Sequence, residues 1–134
     1  PYSGNIGNSI RYLAISPRDN SLRVSGMKNL FCAGEKAGPL VGHTEAIVTG
    51  TLAGYNAAML SKRKDSIELP TMLSIGDAIA YVGEQIKSNE GLSEKYTFSG
   101  SIYFKRMKSK GLYTTDLEKI KERVHKAGMT NIFM

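Results

Sequence analysis

The chain has 134 residues, of which 41% are hydrophobic and 22% are charged, so its composition is that of a folded globular domain. No apolar run approaches the roughly 18 residues that a transmembrane helix needs, so we expect no membrane partner. The first residues contain neither an initiator methionine nor a signal-peptide pattern, which predicts a piece cut from a longer protein. The single cysteine, Cys32, excludes an internal disulfide and a multi-cysteine metal site, and it favours a cytoplasmic location.

The net charge of +6 is concentrated towards the C-terminus. Nine basic and three acidic residues lie within residues 95–126, and their difference equals the net charge of the whole chain. Such a stretch attracts polyanions, although a solvated lysine-rich surface has the same composition. Charge alone therefore identifies no partner.

The first half of the chain is predicted to contain a buried strand, a glycine-spaced loop and a long helix. Residues 1–26 are rich in Gly, Asn and Ser and predict loop, with a short strand within residues 10–15. The compact apolar run at 30–33 predicts a short buried strand, and residues 34–42 predict the loop. The helix predicted at 44–60 carries small residues on one side. Two helical glycines cost about 1 kcal/mol each relative to alanine, which favours close approach of a sheet or a ligand.

The second half begins after a polar stretch at residues 61–66, which predicts a domain boundary near residue 64. An amphipathic helix is predicted to begin at Pro70 and to end near residue 87. Strands are predicted at 98–104 and at 131–134.

A final helix is predicted to begin at Thr115. Thr115 and Glu118 have the spacing of a capping box, in which each side chain bonds to the backbone N–H of the other residue. Three apolar side chains then recur at helical spacing and are predicted to be buried: Leu117, Ile120 and Val124.

The glycine-spaced loop is the best candidate for a binding site. Glycines allow backbone N–H groups to approach a phosphate or a flavin ring, and the N-terminus of the following helix favours a negative charge. Gly34, Gly38 and Gly42 are each separated by three residues, however, and the dinucleotide fingerprint is G-x-G-x-x-G. On spacing alone, a structural turn explains the loop as well as a ligand does.

The residue identities in this region are more specific than the spacing of its glycines. Residues 30–35 (LFCAGE), 42–46 (GHTEA) and 50–58 (GTLAGYNAA) resemble the C-terminal flavin-binding segment of the glucose-inhibited division protein A family, which contains FAD-dependent enzymes that modify tRNA uridines. Members typically read L-F-F-A-G-Q, G-Y-x-E-(S/A)-A and G-L-x-A-G-x-N-A-A. Residues 69–71 and 76–82 resemble the folate/FAD-dependent tRNA (uracil-5-)-methyltransferase branch of that family. The resemblance covers residues 10–87.

This resemblance implies an α/β fold in two parts. Residues 1–64 would be the C-terminal part of a doubly wound FAD-binding domain, and residues 65–134 a small, mainly helical domain that faces RNA. The dinucleotide fingerprint would lie upstream, so the chain alone is expected to be inactive and to need the rest of the parent flavoprotein. The resemblance implies FAD as cofactor and tRNA as partner. In the methyltransferase branch it also implies NAD(P)H and methylenetetrahydrofolate.

The resemblance assigns flavin contacts but no catalytic residue within this chain. The residues assigned to the cofactor are Gly34, Glu35, Leu40, Val41, Gly42 and His43. Glu35 replaces the family's Gln and would accept a hydrogen bond from a ribityl hydroxyl, and the loop gains one residue at Pro39. His43 replaces a Tyr, and it either lies over the flavin or simply begins the helix.

A basic cluster interleaved with aromatic residues is the second candidate site. Lys105, Arg106, Lys108 and Lys110 would bind tRNA phosphates, with aromatic neighbours that stack exposed bases. The alternative is a solvated loop with core aromatics. The two histidines have no partners at metal-ligand spacing, so no metal site is expected.

The predicted function is that of a C-terminal fragment of an FAD-dependent oxidoreductase acting in tRNA uridine modification, by methylation at uracil C5 or a related reaction. Two alternatives belong to other classes. One is an FAD-dependent oxidoreductase with a small-molecule substrate and no role in RNA. The other is an autonomous RNA-binding module that uses residues 95–126.

Overall fold

Helices dominate the residues that the computed structural model describes, which are 2–3, 10–11 and 15–134. Two short strands, β1 (Tyr2–Ser3) and β2 (Ile10–Arg11), pair antiparallel, and residues 12–14 of the strand predicted at 10–15 lie outside the described residues. A 3₁₀ turn covers Gly34–Ala37. The helices are α1 (His43–Ser61), α2 (Ser74–Gln85), α3 (Asn89–Leu92), α4 (Ser101–Ser109) and α5 (Leu117–Lys126). None of the helices in the described ranges combines the length and the hydrophobicity of a membrane-spanning segment.

The helix predicted at 44–60 is confirmed as α1, but its buried face is partly polar. Glu45, Thr49 and Asn56 are each at most 3% exposed. They lie along one side of the helix with Leu52 and Ala53, at helical spacing. Because buried polar groups need hydrogen-bond partners, this face must bond to other segments of the chain.

Two apolar clusters form the core, and α2 contributes to both. Ala78 and Val82 join the first cluster, whose other buried members are Leu40, Tyr96, Tyr103, Met107 and Leu112. Ile79 joins the second cluster with Leu22, Cys32, Ala37, Leu52 and Ala53. Each cluster therefore contains residues from both sides of residue 64. The division into two domains at that position stays a prediction.

The buried strand predicted at residues 30–33 is wrong. Only Phe31 makes a bridge there, with Arg23 on the preceding turn. Leu30 is 48% exposed, so the run is not buried on both faces. An apolar stretch of only four residues is too short to distinguish a strand from other structure.

The two strands predicted in the second half are also wrong. Residues 101–109 form α4, in which Tyr103 and Met107 are buried one turn apart. The loose alternation around Ile102 fits both periods over so few residues. Residues 131–134 form turns, with the N–H of Met134 donating to the carbonyl of Asn131 at 3.0 Å.

The ends of the remaining helices differ from the sequence prediction. Pro70 begins a turn that is closed by the N–H of Leu73, and α2 begins at Ser74. The cap of α5 is Asp116 rather than Thr115, since the Asp116 carboxylate accepts two backbone N–H groups of the first turn. The predicted burial of the apolar side of α5 is wrong, because Leu117 remains 69% exposed.

Asn56 joins three chain segments through one side chain. Its Nδ2 donates to the carbonyls of Ser21 and Ile67, each at 2.9 Å, and its Oδ1 accepts the N–H of Ile67 at 2.9 Å. The amide is fully buried. It therefore holds the segment after α1 and the turn before Cys32 against the same helix.

We predict that Asn56→Ala lowers the free energy of unfolding by about 3 kcal/mol, because it leaves buried backbone groups without partners. Urea unfolding followed by circular dichroism measures this loss. Thr51→Ala is the control, since the Thr51 hydroxyl bonds only within α1 and is exposed; its effect should stay within about 0.5 kcal/mol. Equal losses for the two variants would contradict the assigned role of Asn56.

Candidate functional site

The loop of residues 34–43 begins at a 3₁₀ turn that is held at both of its ends. At the first end, the N–H of Gly34, with φ 60°, donates to Thr49 Oγ1 at 2.8 Å. At the other end, the carbonyl of Ala37 accepts a hydrogen bond from Arg18 Nε at 2.9 Å. The turn is thus fixed to α1 on one side and to the segment around Arg18 on the other.

The middle of the loop packs against the second half of the chain. The N–H of Tyr96 donates to the carbonyl of Pro39 at 2.9 Å, and Pro39 is fully buried. Gly38 has φ 139°, and a Cβ added there would lie 2.6 Å from Val82 Cγ1 of α2. The residue that lengthens this loop relative to the family pattern is therefore part of a packed junction.

Leu40 and Val41 are also buried in the interior of the protein. They are 4% and 7% exposed, and Leu40 belongs to the first apolar cluster. The N–H of Val41 donates to the carbonyl of Tyr96 at 3.0 Å. Both residues therefore position the loop, and their side chains face protein.

The loop ends at Gly42, which caps α1. Gly42 has φ 127°, a conformation that favours glycine, and Glu45 Oε2 lies where a Cβ at position 42 would stand. Glu45 Oε1 accepts the N–H of Phe98 at 2.7 Å and the hydroxyl of Thr97 at 2.8 Å. The need for glycine at position 42 thus follows from the fold itself.

The six residues predicted to contact a flavin lie in one continuous loop but face different ways. Glu35, Gly42 and His43 are exposed, and Gly34 is half-buried. Gly42 provides no side chain to cap the first N–H groups of α1. The exposed part of the loop therefore consists of the first residues of the 3₁₀ turn and the start of α1, and the buried apolar centre supports it.

The basic residues predicted to bind phosphate lie on α4 and at its C-terminal end, and two of them are held by Asp77. Arg106 donates from Nε and Nη2 to the two carboxylate oxygens at 2.9 Å each. Lys110 Nζ lies 3.2 Å from Oδ1, and the Tyr103 hydroxyl donates to Oδ2 at 2.8 Å. The Arg106 guanidinium also covers the ring of Tyr81 at 4.1 Å.

Asp77 is the electrostatic centre of this group. It is 2% exposed, and burial alone would raise the pKa of its carboxyl group. The hydrogen bonds from Arg106, Tyr103 and Lys110 outweigh that effect and hold the pKa below its ordinary value. The carboxylate is therefore ionised and paired at neutral pH, and it fixes α4 against α2.

The other two basic residues are exposed. Lys105 makes no ion pair with any described residue, and Lys108 Nζ lies 4.7 Å from the centre of the Phe104 ring. Phe104 packs edge to face with Tyr113 at 5.0 Å. Lys105 and Lys108 are thus the members of the cluster whose charge is open to a polyanion.

Sequence reasoning missed Asp77 and the buried polar residues of α1. Asp77 stands between Gly76 and Ala78 on the mainly apolar side of α2, and an acid that such a helix buries needs a cationic partner. Among the described residues, no three His, Cys, Asp or Glu side chains cluster as a metal site would require.

Residues 4–65 match the family model described as glucose inhibited division protein A, a range that contains the whole loop and α1. The chain fits a divergent fragment of this family. The resemblance predicted from the sequence is therefore confirmed, and α4 lies outside the matched range.

Curated relatives match over short stretches. The chain is 40% identical over 62 residues to methylenetetrahydrofolate–tRNA-(uracil-5-)-methyltransferase TrmFO of Prochlorococcus marinus, covering 46% of this chain and 13% of the relative. It is 33% identical over 94 residues to the tRNA uridine 5-carboxymethylaminomethyl modification enzyme MnmG of a Nitratiruptor species, covering 67% of this chain and 14% of the relative. The matches thus span about one seventh of each relative's length.

We predict that Asp77→Asn lowers the free energy of unfolding at neutral pH by about 3 kcal/mol, because it leaves a partly buried Arg106 without its counter-charge. The folded-state pKa of Asp77 is lowered, so its stabilisation is present above the unfolded pKa and is lost as pH falls through the folded value. The difference between wild type and variant should therefore shrink below about pH 4. Urea unfolding at several pH values measures it.

Glu118→Gln is the control for this prediction, since Glu118 pairs with Lys121 on an exposed face and its side chain is 82% exposed. Its effect should be less than about 1 kcal/mol at neutral pH. A pH-independent difference between wild type and Asp77→Asn would contradict the pairing of an ionised Asp77.

Proposed function

We propose that this chain is a C-terminal part of an FAD-dependent oxidoreductase that modifies uridines in tRNA, and that its loop 34–43 forms part of the flavin site. The observation that carries this proposal is the family match over residues 4–65, which includes that loop and α1. The relatives named for tRNA uracil methylation and for tRNA uridine modification support the same substrate class.

The exposed part of the loop fits the ring and ribityl end of FAD better than its pyrophosphate. The start of α1 presents backbone N–H groups and a partial positive charge, which suit an electron-rich edge of a flavin. The buried Glu45 carboxylate beside Gly42 would repel a doubly charged pyrophosphate at the same place. Glu35 would accept from a ribityl hydroxyl, and His43 would border the ring.

Bound FAD would carry the electrons of the modification reaction. In the methyltransferase branch, NAD(P)H would supply those electrons and methylenetetrahydrofolate the carbon. The residues of this chain would hold and orient the flavin edge, and the loop's buried centre would keep that edge fixed. By this proposal the chain alone is inactive, because the dinucleotide fingerprint belongs to the rest of the parent protein.

The uncovered side of α1 supports a larger α/β domain in the parent protein. Apart from the neighbouring backbone of α1 itself, no described atom lies within 4 Å of where a Cβ of Gly50 or Gly54 would stand, and Ile47 on the same side is 66% exposed. A helix of a doubly wound domain packs such a face against a sheet. Residues 1–64 would accordingly complete the FAD-binding domain, and residues 65–134 would form the appended helical domain. We further propose that the enzyme acts in the cytoplasm.

The exposed lysines of α4 are proposed to contact tRNA. Lys105 and Lys108 can pair with phosphates without breaking a contact that holds the fold. Arg106 and Lys110 support them indirectly, since both fix α4 through Asp77. We therefore propose that α4 presents two phosphate-binding lysines on a rigid helix, and that its four basic residues are not equivalent phosphate ligands.

We predict that His43→Ala and Glu35→Ala in the parent protein each reduce bound FAD while the melting temperature of the apoprotein stays unchanged, because both side chains are exposed. Flavin absorbance per protein and thermal unfolding of the apoprotein measure the two quantities. His125→Ala is the matched control, since His125 is exposed on α5. Full flavin content in both loop variants would contradict the proposed site.

We predict that the double variant Lys105→Ala/Lys108→Ala in the parent protein weakens tRNA binding. The slope of log K against log salt should become shallower by about 0.7–0.9 for each phosphate that the protein no longer neutralises. Lys62→Ala/Lys64→Ala removes the same charge from an exposed stretch after α1 and should leave the slope unchanged. Equal slopes for wild type and both variants would favour the oxidoreductase without an RNA role.

A further inference from the structure

Residues of α1, α2, α4 and α5 line a cavity of about 360 Å³. Most of the side chains in its wall are apolar. Phe98, Met107 and Leu112 belong to the wall on the side of the first apolar cluster, and Ile120 and Val124 belong to it on α5. Small-molecule sites commonly lie between helices, have apolar walls and have volumes of this order.

The apolar side of α5 is left uncovered at this cavity. Ile120 is 37% exposed, Val124 is half-buried, and no residue of α5 is buried. Apolar side chains at helical spacing are normally packed against a neighbouring element. An apolar ligand in the cavity would therefore cover a surface of α5 that the described part of the chain leaves in contact with water.

Arg123 is the one charged residue that lines the cavity. Its Nη1 donates to the carbonyl of Leu112 at 2.7 Å, and its Nη2 donates to the carbonyl of Gly111 at 3.2 Å. A guanidinium has more N–H donors than these two carbonyls use, and Nε has no partner among the described residues. Arg123 is only half-buried, and its bond to Gly111 lies at the exposed surface, so a ligand can reach the guanidinium.

No carboxylate of the described residues forms an ion pair with Arg123. Glu118 and Glu122 each pair with a lysine of α5, at 3.2 and 3.0 Å. Asp116 accepts two backbone N–H groups at the start of the same helix. The residues outside the described ranges contain no Asp or Glu. The cavity thus combines an apolar wall with one accessible positive charge that lacks an ion-pair partner in the described part of the chain.

We propose that this cavity binds a small aromatic carboxylate, with its rings against the apolar wall and its carboxylate on Arg123. The planar fork of a guanidinium matches the two oxygens of a carboxylate. Phe98 and Tyr113 in the wall favour an aromatic ligand, since rings attract each other in edge-to-face contact. An apolar cavity of about 150 Å³ holds benzene, so the larger volume here suits two fused rings. No residue of loop 34–43 lines the cavity, so this proposal does not rest on the proposed flavin site.

The test is calorimetric titration of the 134-residue chain with 2-naphthoate at constant pH and ionic strength. Saturable binding of one ligand per chain is expected, with shifts of the methyl NMR signals of Ile120 and Val124. The amide 2-naphthamide has the same rings without the charge and should bind about tenfold more weakly. Acetate has the charge without the rings and should show no saturable binding. Absence of saturable 2-naphthoate binding, or equal affinity for the acid and the amide, would overturn the proposal.

Two variants and a control locate the binding. Arg123→Gln should weaken 2-naphthoate binding about tenfold and leave 2-naphthamide binding unchanged, whereas a loosened α5 would weaken both. Val124→Phe places a ring in the cavity and should abolish binding of both compounds, which keeps the test decisive if Arg123→Gln does not fold. Lys121→Gln removes the same charge from an exposed position on α5 and should leave both affinities unchanged.

The variants can also contradict the assigned site. Unchanged binding in Val124→Phe would show that the ligand lies elsewhere. Equal weakening of 2-naphthoate binding in Lys121→Gln and Arg123→Gln would show that the net charge of α5 attracts the ligand without a specific contact to Arg123. Either result would overturn the proposal.

Discussion

The hydrogen bonds from the buried face of α1 are the constraint on which the rest of the structure depends. The described part of the chain has only a two-stranded sheet, so little regular backbone pairing orders its long connections. Buried backbone N–H groups still need acceptors. Three side chains along one helix supply them. Glu45 accepts the N–H of Phe98, Thr49 accepts that of Gly34, and Asn56 accepts that of Ile67. A helix with a fully apolar buried face would bury the same area and leave these connections unspecified.

Local patterns predicted α1 and the position of the loop because both depend on neighbouring residues. The spacing of apolar residues and the positions of glycines within about 30 residues are enough to predict a helix and the loop before it. The apolar run at residues 30–33 led to a wrong strand prediction, because a strand is buried on both faces only where other segments pack against it. The sequence of the run does not reveal such segments, and Leu30 is left largely exposed. The whole of α4 was missed because aromatic residues at 98, 103 and 104 fit a strand or a helix equally well until their partners are known.

The orientation of each loop residue was beyond the sequence for the same reason. Leu40 and Val41 are buried because Tyr96, more than 50 residues later, pairs with the backbone around them. Likewise, Arg106 and Lys110 look like free cations in the sequence until Asp77 of α2 is placed between them. The family resemblance identified a segment that the family model also matches, and long-range pairing decides which of its side chains are exposed.

The loop is held at three places by three different parts of the chain, and this has a consequence for binding. Gly34 is bonded to α1, Ala37 to Arg18, and Val41 to the segment around Tyr96. A loop fixed in this way is already ordered before a ligand arrives, so binding loses little conformational entropy. Affinity for a flavin edge would then depend on the exposed Glu35 and His43, whereas changes at the buried centre would alter stability and affinity together. In the proposed flavin site, the buried residues of the loop would therefore support it and the exposed residues would contact the ligand, so the two roles are separable by mutation.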